Sequence, residues 1–300
     1  MKYKSIFKLC LLTTFLSVAT ISCDDWTEME IHDSQVNGFK EQNPQEYAAY
    51  TQNLHAYKAT KHAVVYARLD NAPEVSTGEK DFLRALPDSI DIVTMRNADR
   101  LSEYDREDMK LVREDYGTKV LYYIDCTAKD KLNTSITSAV EAVRTGTFDG
   151  LALGSEGSAV DVSALKSLLD ALGQTPCLLV FEGTPSLLPE AQRSLFNYFV
   201  LDISAVSDGY DIETSVFYAT GYGKAAPDRL LLAVTPDGTL TDYNGVTRNA
   251  IAGAAYGALN METPLGGIAI YNISADYYDT DIIYKQTRGG IQFLNPASAH

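Results

Sequence analysis

Eight short apolar runs, each followed by a stretch of helical character, divide this chain between residues 62 and 271. The runs are His62–Leu69, Ser89–Met95, Lys119–Asp125, Gly150–Gly154, Cys177–Glu182, Tyr198–Ile203, Arg229–Val234 and Gly267–Tyr271. They are rich in Val, Ile, Leu and Tyr and nearly continuous in apolarity. A strand with one wet face would alternate; continuous apolarity is the mark of parallel strands covered on both sides. Helical periodicity fills the intervals, as in Glu103–Tyr116, Leu132–Arg144, Val160–Leu172 and Thr247–Met261. In the second of these, Ile136, Val140 and Val143 share one buried face. Repeated strand–helix pairs point to the α/β class, and eight of them predict a (β/α)8 barrel. An open, doubly wound α/β sheet shows the same local alternation, but with fewer strands and often a glycine-rich phosphate loop. Here the first run ends Ala67-Arg68-Leu69-Asp70-Asn71, with no G-x-G-x-x-G or P-loop after it.

The N-terminus reads as a targeting segment to be set aside before fold reasoning. Lys2, Lys4 and Lys8 form a positive start, and Leu9 to Val18 is apolar but too short to span a bilayer. Thr20-Ile21-Ser22-Cys23 follows. A small residue before Cys resembles a bacterial lipobox, which implies a signal peptide over 1–22 and Cys23 as the lipidated first residue. An ordinary signal peptide with an incidental Cys is the alternative. Asp24, Asp25 and Glu28 then resemble the surface-export signal of Bacteroides-type lipoproteins. The resulting expectation is an outer-membrane lipoprotein facing the cell surface, held through its lipid without a transmembrane helix. Residues 23–57 read as an acidic tether and a short helix, and 58–300 as the barrel.

Charge narrows the partners. The whole chain carries −15, and removing residues 1–22 leaves 22 basic against 40 acidic residues, a net −18. No basic stripe exists to neutralise phosphates, so nucleic acid is not an expected partner. A neutral ligand such as a glycan is compatible. Cys126 and Cys177 sit at the edges of apolar runs; a disulfide is possible in an exported protein, but buried free thiols are the simpler expectation. His32, His55, His62 and His300 form no metal-ligand spacing, and no metal or cofactor is expected.

The chemistry concentrates in Phe148-Asp149-Gly150-Leu151-Ala152-Leu153-Gly154-Ser155-Glu156. This stretch resembles the fourth-strand signature F-D-G-x-D-x-D-x-E of family 18 glycoside hydrolases, the chitinases and endo-β-N-acetylglucosaminidases. Asp149 and Glu156 keep their places, while Ala152 and Gly154 stand where the signature has Asp. Asp88-Ser89-Ile90-Asp91-Ile92-Val93 is similar to the family's second strand, and Phe196-Asn197-Tyr198-Phe199-Val200-Leu201 to its sixth. Gly266-Gly267-Ile268-Ala269-Ile270-Tyr271-Asn272 resembles the eighth strand in its endoglycosidase form. The closing Ile291-Gln292-Phe293-Leu294-Asn295-Pro296 is similar to a Bacteroides subgroup.

The resemblance implies a site at the strand C-termini and hydrolysis assisted by the substrate's own acetamide. Glu156 takes the proton-donor position. Gly154 takes that of the acetamide-orienting Asp, and Ala152 that of the Asp coupled to it. Strand periodicity would point 152, 154 and 156 to one face of the barrel mouth. A preorganised charge beside a developing cation supplies several kcal/mol, so its loss costs about three orders of magnitude in rate. The family's sixth-strand Tyr is also missing, since that region reads Leu201-Asp202-Ile203-Ser204. Glu182, Asp202 and Asp125 end neighbouring strands, where they can bind sugar hydroxyls; a Glu156–Glu182 acid–nucleophile pair is the catalytic alternative.

Sugar faces stack on rings, and this chain offers 19 Tyr but one Trp, Trp26 in the tether. Tyr271 and Asn272 close the eighth strand and are the expected glycan contacts. Tyr243, Tyr277 and Tyr278 lie in nearby loops. The expected function is a non-catalytic surface protein that binds N-acetylglucosamine-containing oligosaccharides or glycoprotein glycans. An active endoglycosidase using Glu156 is the alternative, and a structural role among outer-membrane glycan-uptake partners the third.

Overall fold

The computed structural model describes residues 39–72, 76–127, 129–242 and 244–296. Cys23, Trp26, His32, Tyr243 and His300, and with them the lipoprotein reading, lie outside these residues. The chain divides into two compact units, residues 1–49 and 50–300. Of the first, the described part is helix α1 (Phe39–Gln42) and the opening of α2 (Pro44–Lys58).

The second unit holds a closed barrel of eight parallel strands. These are β1 (Val64–Leu69), β2 (Ile92–Met95), β3 (Lys119–Asp125), β4 (Gly150–Gly154), β5 (Leu178–Glu182), β6 (Tyr198–Asp202), β7 (Leu230–Val234) and β10 (Gly267–Ile270). Each pairs with its chain neighbours, and β10 closes on β1 through Val64↔Gly267 to Ala67↔Ile270. The (β/α)8 expectation therefore holds, as do all eight strand positions to within a few residues. Helices α3 (Glu103–Glu114), α4 (Lys129–Arg144), α5 (Val162–Leu172) and α7 (Gly209–Gly221) lie between strands, with the short α6 (Glu190–Arg193) between β5 and β6. Their starts are capped as their sequences suggest. Ser102 and Asp105 form a reciprocal capping box on α3, and Asp161 and Asp208 cap α5 and α7.

One helical expectation needs correction. Thr247–Asn249 is not helical but is β9, the second strand of a small antiparallel hairpin with β8 (Thr239–Thr241). Helix α8 covers only Ala250–Asn260, because the Asn249 side chain accepts from the Ala252 amide and starts the helix there. Helix α9 (Lys285–Leu294) ends the described barrel.

Two apolar cores follow from this architecture. One lies between strands and helices and includes Leu69, Val93, Ile124, Leu153, Phe181, Phe199, Leu232 and Ile270. The other fills the barrel interior with every second residue, including Tyr66, Leu121, Tyr123, Ala152, Val180, Val200, Leu231 and Tyr271.

Polar side chains pin the strand N-terminal ends. Asp91 accepts from the Val65 amide, Asp149 from Val120 and Asn197 from Leu179, each tying the residue before one strand to the strand before it. Asp149, the retained first acid of the motif, is further clamped by Arg113 at 2.9 Å. It serves the barrel floor, far along the strand from the mouth. His62 bridges to Asp91 at 2.9 Å on the same floor. Below it, Lys58 donates to the carbonyls of Asp88 and Ile90 and to Thr118, and burial pulls its ammonium down to about 8.

Candidate functional site

The C-terminal ends of β4, β5 and β6 open into a cavity of about 700 Å³, within the size range of small-ligand sites. Gly154, Glu182, Asp202 and Tyr271 line it together with Arg68, Tyr123 and Glu156. A cavity of similar volume, about 690 Å³, opens at the floor beside His62 and Asn295. It has no buried carboxylate in its wall. The mouth, where strand-end side chains converge, is therefore the better candidate.

Glu182 is the central acid of the mouth. It is 5% exposed, accepts from the Tyr66 hydroxyl at 2.5 Å and pairs with Arg68 at 3.0 Å. Tyr66 also bonds Thr94. Burial, then the Glu182 charge, holds the Tyr66 phenol well above its ordinary range, so it stays a neutral donor. The Arg68 guanidinium lies 3.7 Å from the centre of the Tyr271 ring. One buried ion pair, an aromatic ring and two hydroxyls thus form a single charge-balanced cluster.

Tyr271 is part of that cluster and differs from the sugar platform expected of it. It is 5% exposed, and Arg68 covers its ring, leaving no open face for stacking. Asn272 adopts a left-handed conformation at φ 49° and is exposed outside the cavity wall. Asp125 also lies outside that wall and accepts from Thr127. Asp202 lines the cavity but its carboxylate is engaged with the Ser204 amide and hydroxyl.

Glu156 departs from the strand pattern as well. β4 ends at Gly154, and Glu156 sits in a turn at φ +44°, exposed at the cavity rim. The i, i+2, i+4 rule that would have aligned 152, 154 and 156 fails because the extended backbone stops two residues early. Ser155, between them, is buried and bonds the Glu182 carbonyl through its amide and hydroxyl at 3.2 and 3.1 Å.

Gly154 carries the sharpest geometric fact. A Cβ at this position would lie 2.0 Å from the Tyr123 hydroxyl. The Tyr123 ring, projecting inward from β3, fills the space that a side chain at 154 would need. Ala152 is fully buried in the barrel interior. The Tyr123 hydroxyl and the Nε of Arg68 are both buried, and neither has a hydrogen-bond partner among the described residues. Burial, then the Glu182 charge, pushes the Tyr123 phenol up, so the group is a neutral hydroxyl. Two unused donors thus lie buried behind the cavity wall, beside one engaged carboxylate.

The accessible rings are ones that sequence reasoning passed over. Tyr218 in the last turn of α7 and Tyr222, the residue that caps it, line the same cavity and are 54% and 65% exposed. Their i, i+4 spacing was the available signal. Tyr277 is buried against Tyr284 and bonds Glu79, while Tyr278 is exposed outside the cavity wall. Cys126 and Cys177 are both free thiols.

Comparison with known proteins agrees with this architecture. A family profile described as glycoside hydrolase family 18, BT1044-like, matches residues 27–141, ending before β4 and the motif. A solved selenomethionine-labelled variant of BT1044 is 18% identical, with a TM-score of 0.69, over 86% of this chain and 95% of that one. The endo-β-N-acetylglucosaminidase from Cordyceps militaris is 16% identical with a TM-score of 0.60, over 83% of this chain and 96% of its own. A mutant of that enzyme has been solved with fucosyl-N-acetylglucosamine-Asn. A chitinase from Bacteroides thetaiotaomicron is 13% identical with a TM-score of 0.52, over 80% of this chain and 98% of its own. No curated protein matches the chain.

Proposed function

We propose, from the premise that this chain is a family-18-like (β/α)8 protein, that it binds an N-acetylglucosamine-containing oligosaccharide at the barrel mouth without hydrolysing it. The observation that carries the reading is the filling of the Gly154 site by Tyr123. Acetamide-assisted hydrolysis needs a carboxylate there, and no other acid occupies the place. Glu182, the acid nearest in the chain's next strand, has both oxygens engaged by Tyr66 and Arg68. Glu156 remains at the rim as a hydrogen-bond acceptor for sugar hydroxyls.

Recognition, unlike hydrolysis, needs only a cleft with a few convergent polar groups and an apolar surface. The mouth has both, in the polar side chains of Glu156 and Asp202 and in the apolar surface of Leu187 and Leu201. The Cordyceps complex with a fucosylated N-acetylglucosamine supports the choice of ligand class for a barrel of this kind. The lipid anchor at Cys23 and a cell-surface location belong to the same proposal.

The test is an assay of the purified protein on a labelled high-mannose glycoprotein and on chitin oligomers, alongside calorimetry with the same ligands. Heat of binding without turnover is expected. Turnover that disappears in Glu156→Gln would establish a hydrolase instead.

A further inference from the structure

We propose that Tyr218 and Tyr222 form a second sugar-stacking subsite outside the barrel mouth. The ligand is then a neutral oligosaccharide long enough to run from the mouth across the β5–β6 connection to α7. The inference rests on the reading that the mouth binds a glycan, and it sets the ligand's length and direction.

The cavity that begins at Glu182 and Tyr123 continues without interruption to these two rings. They stack on each other with centroids 5.6 Å apart and planes inclined by 30°. Phe217 buttresses both edge-on, at 5.9 Å from Tyr218 and 6.3 Å from Tyr222. Exposed aromatic surface of this kind is unusual on a helix that faces only water, and its removal from solvent by a ligand is favourable.

The pair is also held in place. Arg193 donates to the carbonyls of Leu188, Tyr222 and Gly223, at 3.0, 3.2 and 3.1 Å, tying the end of α7 to the β5–β6 connection. Gly223 permits this approach, since a Cβ there would lie 2.9 Å from Pro185 and 2.3 Å from the Ala219 carbonyl. A ring presented on a fixed element loses little entropy when it takes up a ligand.

The chemistry of the path selects the occupant. Thr184, Ser186 and Ser215 line it as well, with the Ser215 hydroxyl donating to the Asp211 carbonyl. Exposed rings matched to the C–H faces of sugars, on a path flanked by small polar residues, suit a sugar chain. Glu156 and Asp202 on the same wall, in a chain of net charge −15, disfavour an anionic glycan.

Calorimetry with chitin oligosaccharides of two and of five units tests the inference on the whole chain. Wild type is expected to bind the longer oligomer more tightly. The double substitution Tyr218→Ala, Tyr222→Ala is expected to weaken the longer oligomer about tenfold and leave the shorter one unchanged. Tyr218→Phe with Tyr222→Phe, which keeps the rings, should retain most of the affinity. Equal affinity of the alanine variant for the longer oligomer overturns the subsite while leaving the mouth reading intact. A wild-type protein that binds neither oligomer overturns both. Self-association of wild type that the alanine variant lacks, with oligomer affinity unaltered, would assign the rings to a protein contact instead.

Discussion

Tyr123 and Gly154 form one structural unit, and substitutions at either should reveal the other. Gly154→Asp, even with Ala152→Asp, forces a carboxylate into space held by a buried ring. Overpacking of this kind costs about 1–3 kcal/mol, before any penalty for burying charge. The expected result is a lowered melting temperature and no hydrolysis. A Gly154→Asp protein that melts like wild type and cleaves chitin oligomers would show that the ring does not block the position. Tyr123→Phe makes the opposite kind of change, because it deletes a buried hydroxyl that has no partner. Stability should hold or rise slightly, since an unsatisfied group is removed. Glycan affinity should stay close to that of wild type, since the buried hydroxyl offers no accessible surface to a ligand. Parallel melting and calorimetry separate this outcome from a general loss of structure, which would lower both.

At the scale of elements, the strand N-termini behave as a floor, and its stability should depend on pH. His62 bonds Asp91, which also receives the Val65 amide and so links the first two strands. The hydrogen bond that the His62 ring donates to the Asp91 carboxylate raises the imidazole above its ordinary 6.5, with burial and the Lys58 charge acting against it. A raised folded-state value means that the stabilisation is fully present below about 6.5 and is lost as pH climbs through the folded value. The melting temperature of wild type should therefore exceed that of His62→Gln most in mildly acidic buffer, and the gap should narrow toward alkaline pH. A gap that is constant with pH would mean that His62 packs without titrating. The hairpin of β8 and β9 shows how an element escapes periodicity. Thr247, Arg248 and Asn249 continue an apolar-poor approach to α8, but the pairing of Thr241 with Thr247 and the Asn249 cap decide where the helix begins.

At the scale of the whole molecule, an N-terminal segment precedes the barrel in the chain. No helix among the described residues is long and apolar enough to cross a membrane. The proposed attachment is through Cys23, where one lipidated residue would anchor an acidic protein to the outer membrane. Cys23→Ala is expected to move the protein from the membrane fraction to the soluble fraction on cell fractionation. A variant that still partitions with the outer membrane would refute lipid anchoring through this residue.

The barrel was legible in the residues because its signal is local. Each strand needs a run of apolar side chains on both faces, and each helix one apolar stripe, so the eight strands announce themselves in order, although among the described residues only short 3-10 turns, not an α-helix, join the first strand to the second. The vacancy of the motif was legible for the same reason, since Ala152 and Gly154 can be read where carboxylates would stand. What fills that vacancy was not legible. Tyr123 lies on a different strand from Gly154, and only the parallel register of β3 with β4 brings its hydroxyl to the place of the missing side chain. Arg68 covers Tyr271 because β1 and β10 are neighbours only after the barrel closes. Glu156 leaves the mouth's inner face because the chain turns to a positive φ after Gly154, a choice made by the loop and by Ser155 bonding across to β5. Periodicity assigns side chains to faces within one element. Which faces meet, and which rings are left uncovered, follows from closure of the sheet and from packing between elements far apart in the chain.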